Sequence, residues 1–170
     1  MLRDIKGLNS ITTSELQLKR MVYDYEKDIN QRLPACSEAV GHPVEAACTI
    51  LDVQNMAATN FLHANKHVIQ ALSISQNCYP GCIAKYYVIN ASRASSAVWN
   101  TIRPYLDEDS VAKVDILDAS YKDALLKDID EENLPSIFGG KCDCPGGCSL
   151  SDAGPWNPKD ELKGKIAKSP

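Results

Sequence analysis

The sequence predicts an α/β protein in which a mostly parallel sheet is covered by helices. Three short apolar segments, rich in β-branched residues, alternate along the chain with amphipathic helical segments. The residues between successive strands are numerous enough for helical crossovers, which make neighbouring strands parallel and the connections right-handed. At 170 residues, with 44% hydrophobic and 24% charged residues, the chain has the composition of one globular domain with its own core.

The predicted helices follow from apolar side chains that recur at helical spacing. The first covers residues 13–33, is expected to end at Pro34, and has as its apolar positions Leu18, Val22, Tyr25 and Ile29. Further helices are predicted at residues 57–75, 94–106 and 121–129. Pro104 is expected to kink or weaken the helix that contains it, because proline lacks the N–H that a helix interior needs.

The predicted strands are residues 45–53, 83–91 and 111–119, which read EAACTILDV, IAKYYVINA and VAKVDILDA. Each is short and mostly apolar, as expected for a strand that is covered on both faces. A sheet of these strands alone would leave bare apolar edges. We therefore expect the chain to be most of a domain rather than a whole one.

Charge and cysteine content argue against several classes of protein. A net charge of −4 argues against nucleic-acid binding, which needs a basic surplus to neutralise phosphates. No segment reaches the ~20 apolar residues of a membrane span, and the first residues lack the apolar stretch of a secretory leader. We therefore expect an intracellular protein with reduced thiols. Its seven cysteines are an odd number, so they cannot all pair within one chain.

The signatures of common catalytic sites are missing from the sequence. There is no GxSxG elbow, no GxxxxGK[ST] phosphate loop and no GxGxxG after a strand. The glycine pairs at 139–140 and 146–147 follow no apolar strand and precede no clear helix. We therefore predict that the chain is not an enzyme and carries no cofactor.

Metal binding is also disfavoured by ligand count. Cys142, Cys144 and Cys148 give the spacing C-x-C-x3-C, and Cys78 with Cys82 gives C-x3-C. A structural zinc site needs four ligands, usually in CxxC-like pairs, and no fourth ligand lies nearby in sequence. The pair His63 and His67 has a chelating spacing but is more simply explained as solvated helix residues. We predict no metal and a structural turn at the three cysteines, with a zinc or redox module as the remote alternative.

Several segments carry a resemblance to a known family. The strings ENLPSIFGG and SLSDAGPW, with CTILDV, SISQNCYP, KYYVINA and SYKDALLKDI in the same order, span most of the chain. This pattern resembles the CRAL-TRIO lipid-binding family, in its branch of secretory-pathway phosphatidylinositol/phosphatidylcholine transfer proteins. The resemblance implies a lipid-binding domain over residues 1–157, without the family's first strand and N-terminal helical module, and a solvated tail over 158–170. It also implies that Gly139 and Gly140 adopt special conformations and that Phe138 and Trp156 are apolar anchors.

The resemblance further implies a binding site. The family holds one phospholipid with its acyl chains in an apolar cavity on the sheet, beneath a gate helix that corresponds to residues 92–106. Val98, Trp99 and Ile102 are the expected lipid-facing gate residues. The expected lipid-binding residues are Thr49, which matches a hydroxyl for the choline lipid's phosphate, Leu51 beside it, and Lys113, which matches a lysine for the inositol lipid's phosphate.

The sequence departs from the family pattern at other positions of the site. Ala47 replaces a serine, and Gly81 with Cys82 replaces an acidic-basic pair that serves the inositol headgroup. Arg93 and Ser95 make the gate more polar. Asp115 stands at a normally apolar strand position, where it either finds a partner or marks relaxed constraint.

The resemblance implies phospholipid binding and transfer between intracellular membranes. The protein would be a cytoplasmic monomer that associates transiently with Golgi or endosomal membrane surfaces. The alternative is a non-transferring interaction protein, or a decayed fragment, that keeps the sheet without a working lipid site.

Overall fold

The computed structural model describes residues 11–54 and 69–157. The chain divides into two compact units: a sheet unit, Met1–Glu26 with Ala46–Tyr121, and a C-terminal unit, Lys27–Glu45 with Lys122–Pro170. The helices within the described ranges are too short or too polar to cross a lipid bilayer.

The helices of the described residues are α1 (Ser14–Lys27), α2 (Leu33–Val40), α3 (residues 69–78), α4 (Arg93–Ile102), α5 (Glu108–Ala112) and α6 (Lys122–Asp128). The prediction that Pro34 ends the first helix is wrong. The helical path widens into a π turn over Asp28–Arg32 and continues as α2, with Pro34 in its first turn. Proline is tolerated there because a first-turn N–H has no partner within its own helix. Gly41, with φ of 76°, ends α2 instead.

The prediction that Pro104 interrupts the helix at 94–106 is confirmed. The α-helix ends at Ile102, and the chain tightens into a 3-10 turn over Arg103–Tyr105 that contains Pro104. Of the helix predicted at 57–75, residues 57–68 lie outside the described part, and His63 and His67 are among them. The described part, α3, extends to residue 78.

The described strands form one parallel sheet in the order β1 (Ala47–Asp52), β2 (Ile83–Ile89), β3 (Val114–Ile116). The first two strands lie within their predicted ranges. The prediction of a strand from residue 111 is wrong, because residues 108–112 form α5 and β3 is confined to Val114–Ile116. The Asp107 carboxylate caps that helix by accepting a hydrogen bond from the Ser110 N–H at 2.6 Å. This start signal outweighs the strand preference of Val111.

Two aromatic side chains join α1 to the end of α3 within the sheet unit. The rings of Tyr25 and Tyr79 stack with centroids 4.6 Å apart. The Tyr25 hydroxyl lies 2.8 Å from the Ser75 hydroxyl, and Tyr79 donates to Glu26 at 2.7 Å. The hydrogen bond to Glu26, more than desolvation, raises the pKa of Tyr79 to about 12.

The C-terminal unit is organised by buried leucines and by close backbone approaches. Leu125 and Leu134 are fully buried. Gly139 has φ of 89°, and a Cβ on Gly140 would overlap the Leu134 carbonyl group. The structure therefore confirms the special conformation of Gly139, whereas Gly140 has no positive φ and needs glycine for lack of space beside Leu134.

An ionic cluster surrounds Trp156 in the same unit. The Asp152 carboxylate accepts hydrogen bonds from Lys27 at 2.6 Å, Arg32 at 2.7 Å and the Trp156 indole at 3.2 Å. The Arg32 guanidinium lies over the Trp156 ring, 5.5 Å from its centroid. Trp156 thus takes part in this cluster through a hydrogen bond and a cation–π contact.

Candidate functional site

One face of the sheet carries the two lipid-binding residues that were predicted on β1. Parallel pairing aligns Thr49 with Tyr86 and Val114 in one row across the strands, and Leu51 with Val88 and Ile116 in the next. All six side chains are partly exposed. We call these two rows the Thr49 face. It offers four aliphatic side chains and two hydroxyl groups, which suits a ligand with hydrocarbon chains and one polar end.

The opposite face of the sheet is the packed one. Tyr87 and Ile89 point there from β2 and are fully buried. Asp115 also lies on this face and pairs with Lys85 at 2.9 Å, while the Lys85 ammonium is 5.7 Å from the centroid of the Tyr87 ring. The unusual carboxylate in β3 therefore has a partner. Sequence reasoning did not identify Lys85, because the pairing depends on the register of β2 against β3.

Tyr86 is a site residue that the sequence reasoning missed. It lies between Thr49 and Val114 in the same row. Burial, followed by the charge of Tyr25, raises the pKa of its hydroxyl. The signal was the pair of adjacent tyrosines in KYYVINA, since alternation sends one to each face of a strand. Only the register shows that Tyr86 is the one beside Thr49.

The carboxyl ends of the strands meet at the start of α4. Asn90 leaves β2 with φ of 58° and donates to the Asp52 carboxylate at the end of β1 at 2.8 Å. The Ala91 N–H donates to the Leu117 carbonyl, just beyond β3, at 2.9 Å. The amino end of α4 is therefore tied to the chain on both sides of β2. This edge is where open parallel sheets bind their ligands.

The first turn of α4 is closed by a reciprocal capping box. The Ser92 hydroxyl accepts from the Ser95 N–H, and the Ser95 hydroxyl accepts from the Ser92 N–H. Ser95 is 8% exposed. Its hydroxyl is therefore hydrogen-bonded within the cap. Ser95 thus makes the surface of the helix less polar than its sequence position suggested.

The three predicted gate residues lie along α4 after this cap. Val98, Trp99 and Ile102 are all partly exposed, and their spacing places Val98 and Ile102 one turn apart. Their contact with lipid stays a prediction.

Lys113 is separated from Thr49 by two strand spacings. It caps the carboxyl end of α5, and its carbonyl accepts from the Tyr86 N–H at 2.8 Å, one residue before the row of Thr49. Strands lie about 4.8 Å apart, so the two backbones are separated by about 10 Å. The structure therefore does not combine Thr49 and Lys113 into one compact set of phosphate donors. The two roles predicted for them, toward different headgroups, stay predictions.

Gly81 occupies a turn that only glycine fills without strain. Pro80 and Gly81 connect α3 to β2, with the Cys82 N–H 3.4 Å from the Tyr79 carbonyl and φ of 80° at Gly81. Proline followed by glycine at φ above zero is the sequence signature of a type II turn. An acidic side chain at position 81 would need a different backbone there.

The three C-terminal cysteines converge in the C-terminal unit. The sulfurs of Cys142, Cys144 and Cys148 all lie within 4.8 Å of one another. Within residues 11–54 and 69–157, these are the potential metal ligands that come together in a group of three or more. Cys78 and Cys82 belong to no such group in this part of the chain.

Comparison with known proteins gives a consistent family. A family model described as the CRAL/TRIO domain matches residues 9–140. The Sec14 cytosolic factor of Schizosaccharomyces pombe is 46% identical over 154 residues, covering 91% of this chain and 54% of that protein. The SEC14 cytosolic factor of Candida glabrata is 44% identical over 156 residues, covering 90% of this chain and 52% of that protein.

A plant relative extends the comparison. The phosphatidylinositol/phosphatidylcholine transfer protein SFH4 of Arabidopsis thaliana is 37% identical over 163 residues, covering 94% of this chain and 27% of that protein. The chain thus spans about half the length of the fungal relatives and less of the plant one.

Proposed function

Because the chain belongs to the CRAL/TRIO domain family, we propose that it binds a phospholipid on the Thr49 face and takes part in moving that lipid between membranes. Relatives that are named as phosphatidylinositol/phosphatidylcholine transfer proteins support this proposal. The full activity, including the steps that depend on the remaining half of the relatives' length, is part of the proposal.

The observation that carries the proposal is the exposed surface of the Thr49 face. On the opposite face, the central side chains of β2 are fully buried, whereas all six residues of the Thr49 face keep exposed surface. Covering an apolar side chain stabilises the covered state by about 1.5–3 kcal/mol, and each acyl methylene that leaves water contributes about 0.8 kcal/mol. Acyl chains lying on this face would cover the apolar side chains and would themselves leave water, so both contributions would favour binding. Exchange of the lipid would need two conformations of α4 but no covalent chemistry.

The headgroup end is proposed to lie near the hydroxyl-bearing row. Thr49 and Tyr86 are register partners in this row, and a hydroxyl group such as that of Thr49 can donate to a phosphate oxygen. Lys113 directly precedes Val114, the β3 member of this row, and we propose that it serves a larger headgroup. Since Gly81 and Cys82 replace the acidic-basic pair implied by the resemblance, we expect stronger transfer of phosphatidylcholine than of phosphatidylinositol.

The cellular setting belongs to the same proposal. We place the protein in the cytoplasm as a monomer that visits Golgi or endosomal membrane surfaces, without an enzymatic activity, a cofactor or a nucleic-acid partner. The names of the fungal relatives as cytosolic factors support the first part of this setting.

The proposal is tested by lipid exchange between vesicles. Donor vesicles contain a fluorescent phosphatidylcholine, acceptor vesicles do not, and the purified full chain is added. We expect transfer above the protein-free rate. Thr49→Val removes one hydroxyl at nearly constant volume and should lower the apparent affinity about tenfold, the value of one hydrogen bond to a charged group. Ile50→Val, at the next position of β1 and on the opposite face, is the matched control.

A second measurement tests the role of α4 directly. The chain has two tryptophans, so a Trp156→Phe background leaves Trp99 as the only one. Phospholipid with brominated acyl chains should quench its fluorescence if Trp99 contacts the lipid. Absence of transfer, together with a purified chain that carries no phospholipid in native mass spectrometry, would refute the proposed function.

A further inference from the structure

The three converging thiols form a defined geometric cluster. We call Cys142, Cys144 and Cys148 the thiol cluster. The Cys142 sulfur lies 3.8 Å from the Cys144 sulfur and 3.8 Å from the Cys148 sulfur. All three side chains are partly buried. The sulfurs are therefore too far apart for a disulfide, whose S–S bond is about 2.05 Å long, yet close enough to share one ion.

The backbone of this loop is shaped around the sulfurs. Gly146 and Gly147 adopt φ of 80° and 89°, and the Gly147 N–H donates to the Cys144 carbonyl at 2.8 Å. This turn reverses the chain between Cys144 and Cys148. The Cys144 N–H then donates to the Cys148 sulfur at 3.4 Å. A backbone N–H directed at a sulfur stabilises the thiolate form that a metal requires.

The amino end of the loop is anchored independently of the turn. The Cys142 N–H donates to the Leu134 carbonyl at 3.0 Å, and the Ser136 N–H donates to the Cys142 carbonyl at 2.9 Å. Leu134 is fully buried, so this anchor belongs to the core of the C-terminal unit. Cys142 therefore has a fixed position, toward which the turn brings the other two sulfurs.

The distances fit tetrahedral coordination by thiolates. A Zn–S bond is about 2.3 Å long, so two sulfurs of a tetrahedral site are separated by about 3.8 Å. The cluster shows this separation for two of its three pairs, with the third within 4.8 Å. Three protein ligands leave one position of the tetrahedron for water or an added ligand.

We propose that Cys142, Cys144 and Cys148 bind one Zn²⁺ ion, with the fourth position open to solvent. The sequence predicted no metal because a fourth cysteine or histidine was missing, but three convergent thiolates and a solvent ligand also complete a zinc site. This inference is independent of the proposed lipid function. Its structural consequence would be to fix the loop of residues 142–148, since binding to the folded form alone adds to its stability.

A neighbouring side chain contacts one of the proposed ligands. The Ser151 side chain is hydrogen-bonded to Cys144. Ser151 is thus the candidate outer-shell residue, since it contacts a ligand and not the ion.

The test is a competition titration of the reduced full chain with Zn²⁺ and a chromophoric chelator. We expect one zinc per chain. Cys144→Ser should weaken binding by more than about 100-fold, and Ser151→Ala by about tenfold, the usual effect of an outer-shell partner. Cys78→Ser removes an exposed thiol outside the cluster and should leave the affinity unchanged.

Cobalt substitution provides a readout that does not depend on stability. Bound Co²⁺ should give a sulfur-to-metal charge-transfer band, whose intensity falls in Cys148→Ser while circular dichroism of the metal-free variant shows that it is still folded. Failure of the reduced wild-type chain to bind zinc stoichiometrically would overturn the proposal. So would equal affinity in the wild type and Cys144→Ser, or thiol loss to a disulfide with no zinc binding by the reduced chain.

Discussion

Replacing Asp152 by asparagine tests how far one carboxylate stabilises the C-terminal unit. The substitution keeps the shape of the side chain and an oxygen acceptor but removes the charge that Lys27 and Arg32 share. Lys27 and Arg32 are only 18% and 27% exposed as side chains, and Asp152 is 38% exposed. Lys27 would stay desolvated without the charge of Asp152, which is the costly way to break an ion pair, whereas Arg32 would keep its second pair, with Asp28 at 2.8 Å.

The expected magnitude lies between two limits. Hydrogen bonds to charged groups contribute about 1.5–3 kcal/mol when buried, whereas exposed ion pairs contribute about 0.2–1 kcal/mol. The partial exposure of Asp152 requires a discount for solvent screening, so we assign about 1 kcal/mol to each lost pair and about 2 kcal/mol in total. For a chain of this length the melting temperature should fall by about 4–8 °C.

The assay is urea unfolding followed by the fluorescence of Trp156 in a Trp99→Phe background, which reports on the C-terminal unit. Asp130→Asn removes an exposed carboxylate of the same unit and is the control. A double-mutant cycle with Lys27→Met isolates the pairwise contribution. If Asp152→Asn and Asp130→Asn shift the transition equally, the assignment of stability to this cluster is wrong.

The pH dependence of stability tests the same contribution of Asp152. Hydrogen bonds first from Lys27 and then from Arg32 hold the pKa of Asp152 well below its ordinary value. The ionised form is therefore favoured by folding, so its contribution is present above the unfolded pKa of about 3.9 and is lost as the pH falls below it. The stability difference between wild type and Asp152→Asn should be constant from pH 7 to about pH 5 and should shrink below about pH 4.

Three further predictions concern the tyrosine contact and two glycines. Spectrophotometric titration should show Tyr79, identified by its loss in Tyr79→Phe, ionising with a pKa of about 12 and shifting downward in Glu26→Gln; an unchanged pKa in Glu26→Gln would contradict the assigned cause. Gly81→Ala should destabilise the sheet unit by about 1–2 kcal/mol in urea unfolding, and Gly81→Asn by less, because asparagine tolerates a left-handed backbone; equal losses would mean that backbone conformation is not the reason. Gly140→Ala should cost about 2–3 kcal/mol by forcing a methyl group against the Leu134 carbonyl, whereas a neutral result by the same method would show that the loop can shift away.

Local sequence signals predicted those parts of the fold that depend on local chemistry. The first two strands are continuous β-branched apolar runs, and Pro104 removes a helix donor, so their positions could be read directly. Signals also competed. At residues 107–113 the Asp107 cap and the acidic first turn outweighed Val111, and at Pro34 a first-turn position made proline harmless.

Features that depend on register or on loop shape could not be predicted in this way. The row of Thr49, Tyr86 and Val114 and the pair of Lys85 with Asp115 follow from how strands align, which no single segment specifies. The thiol cluster depends on Gly146 and Gly147 reversing the chain, so the spacing C-x-C-x3-C indicated neighbours in sequence without showing that their sulfurs meet. The lipid-binding roles themselves stay predictions.

The attachment of α4 bears on the gate movement that we propose for it. Asn90 and Ala91 fasten its amino end to the ends of the flanking strands, while its carboxyl end passes into the 3-10 turn at Arg103. If α4 acts as the proposed gate, we expect it to turn about this amino end. Ten residues make a lever of about 15 Å, so a rotation of about 20° would carry Ile102 roughly 5 Å and the residues near Ser92 hardly at all. We therefore expect a portal beside the sheet to open widest at the far tip of the helix.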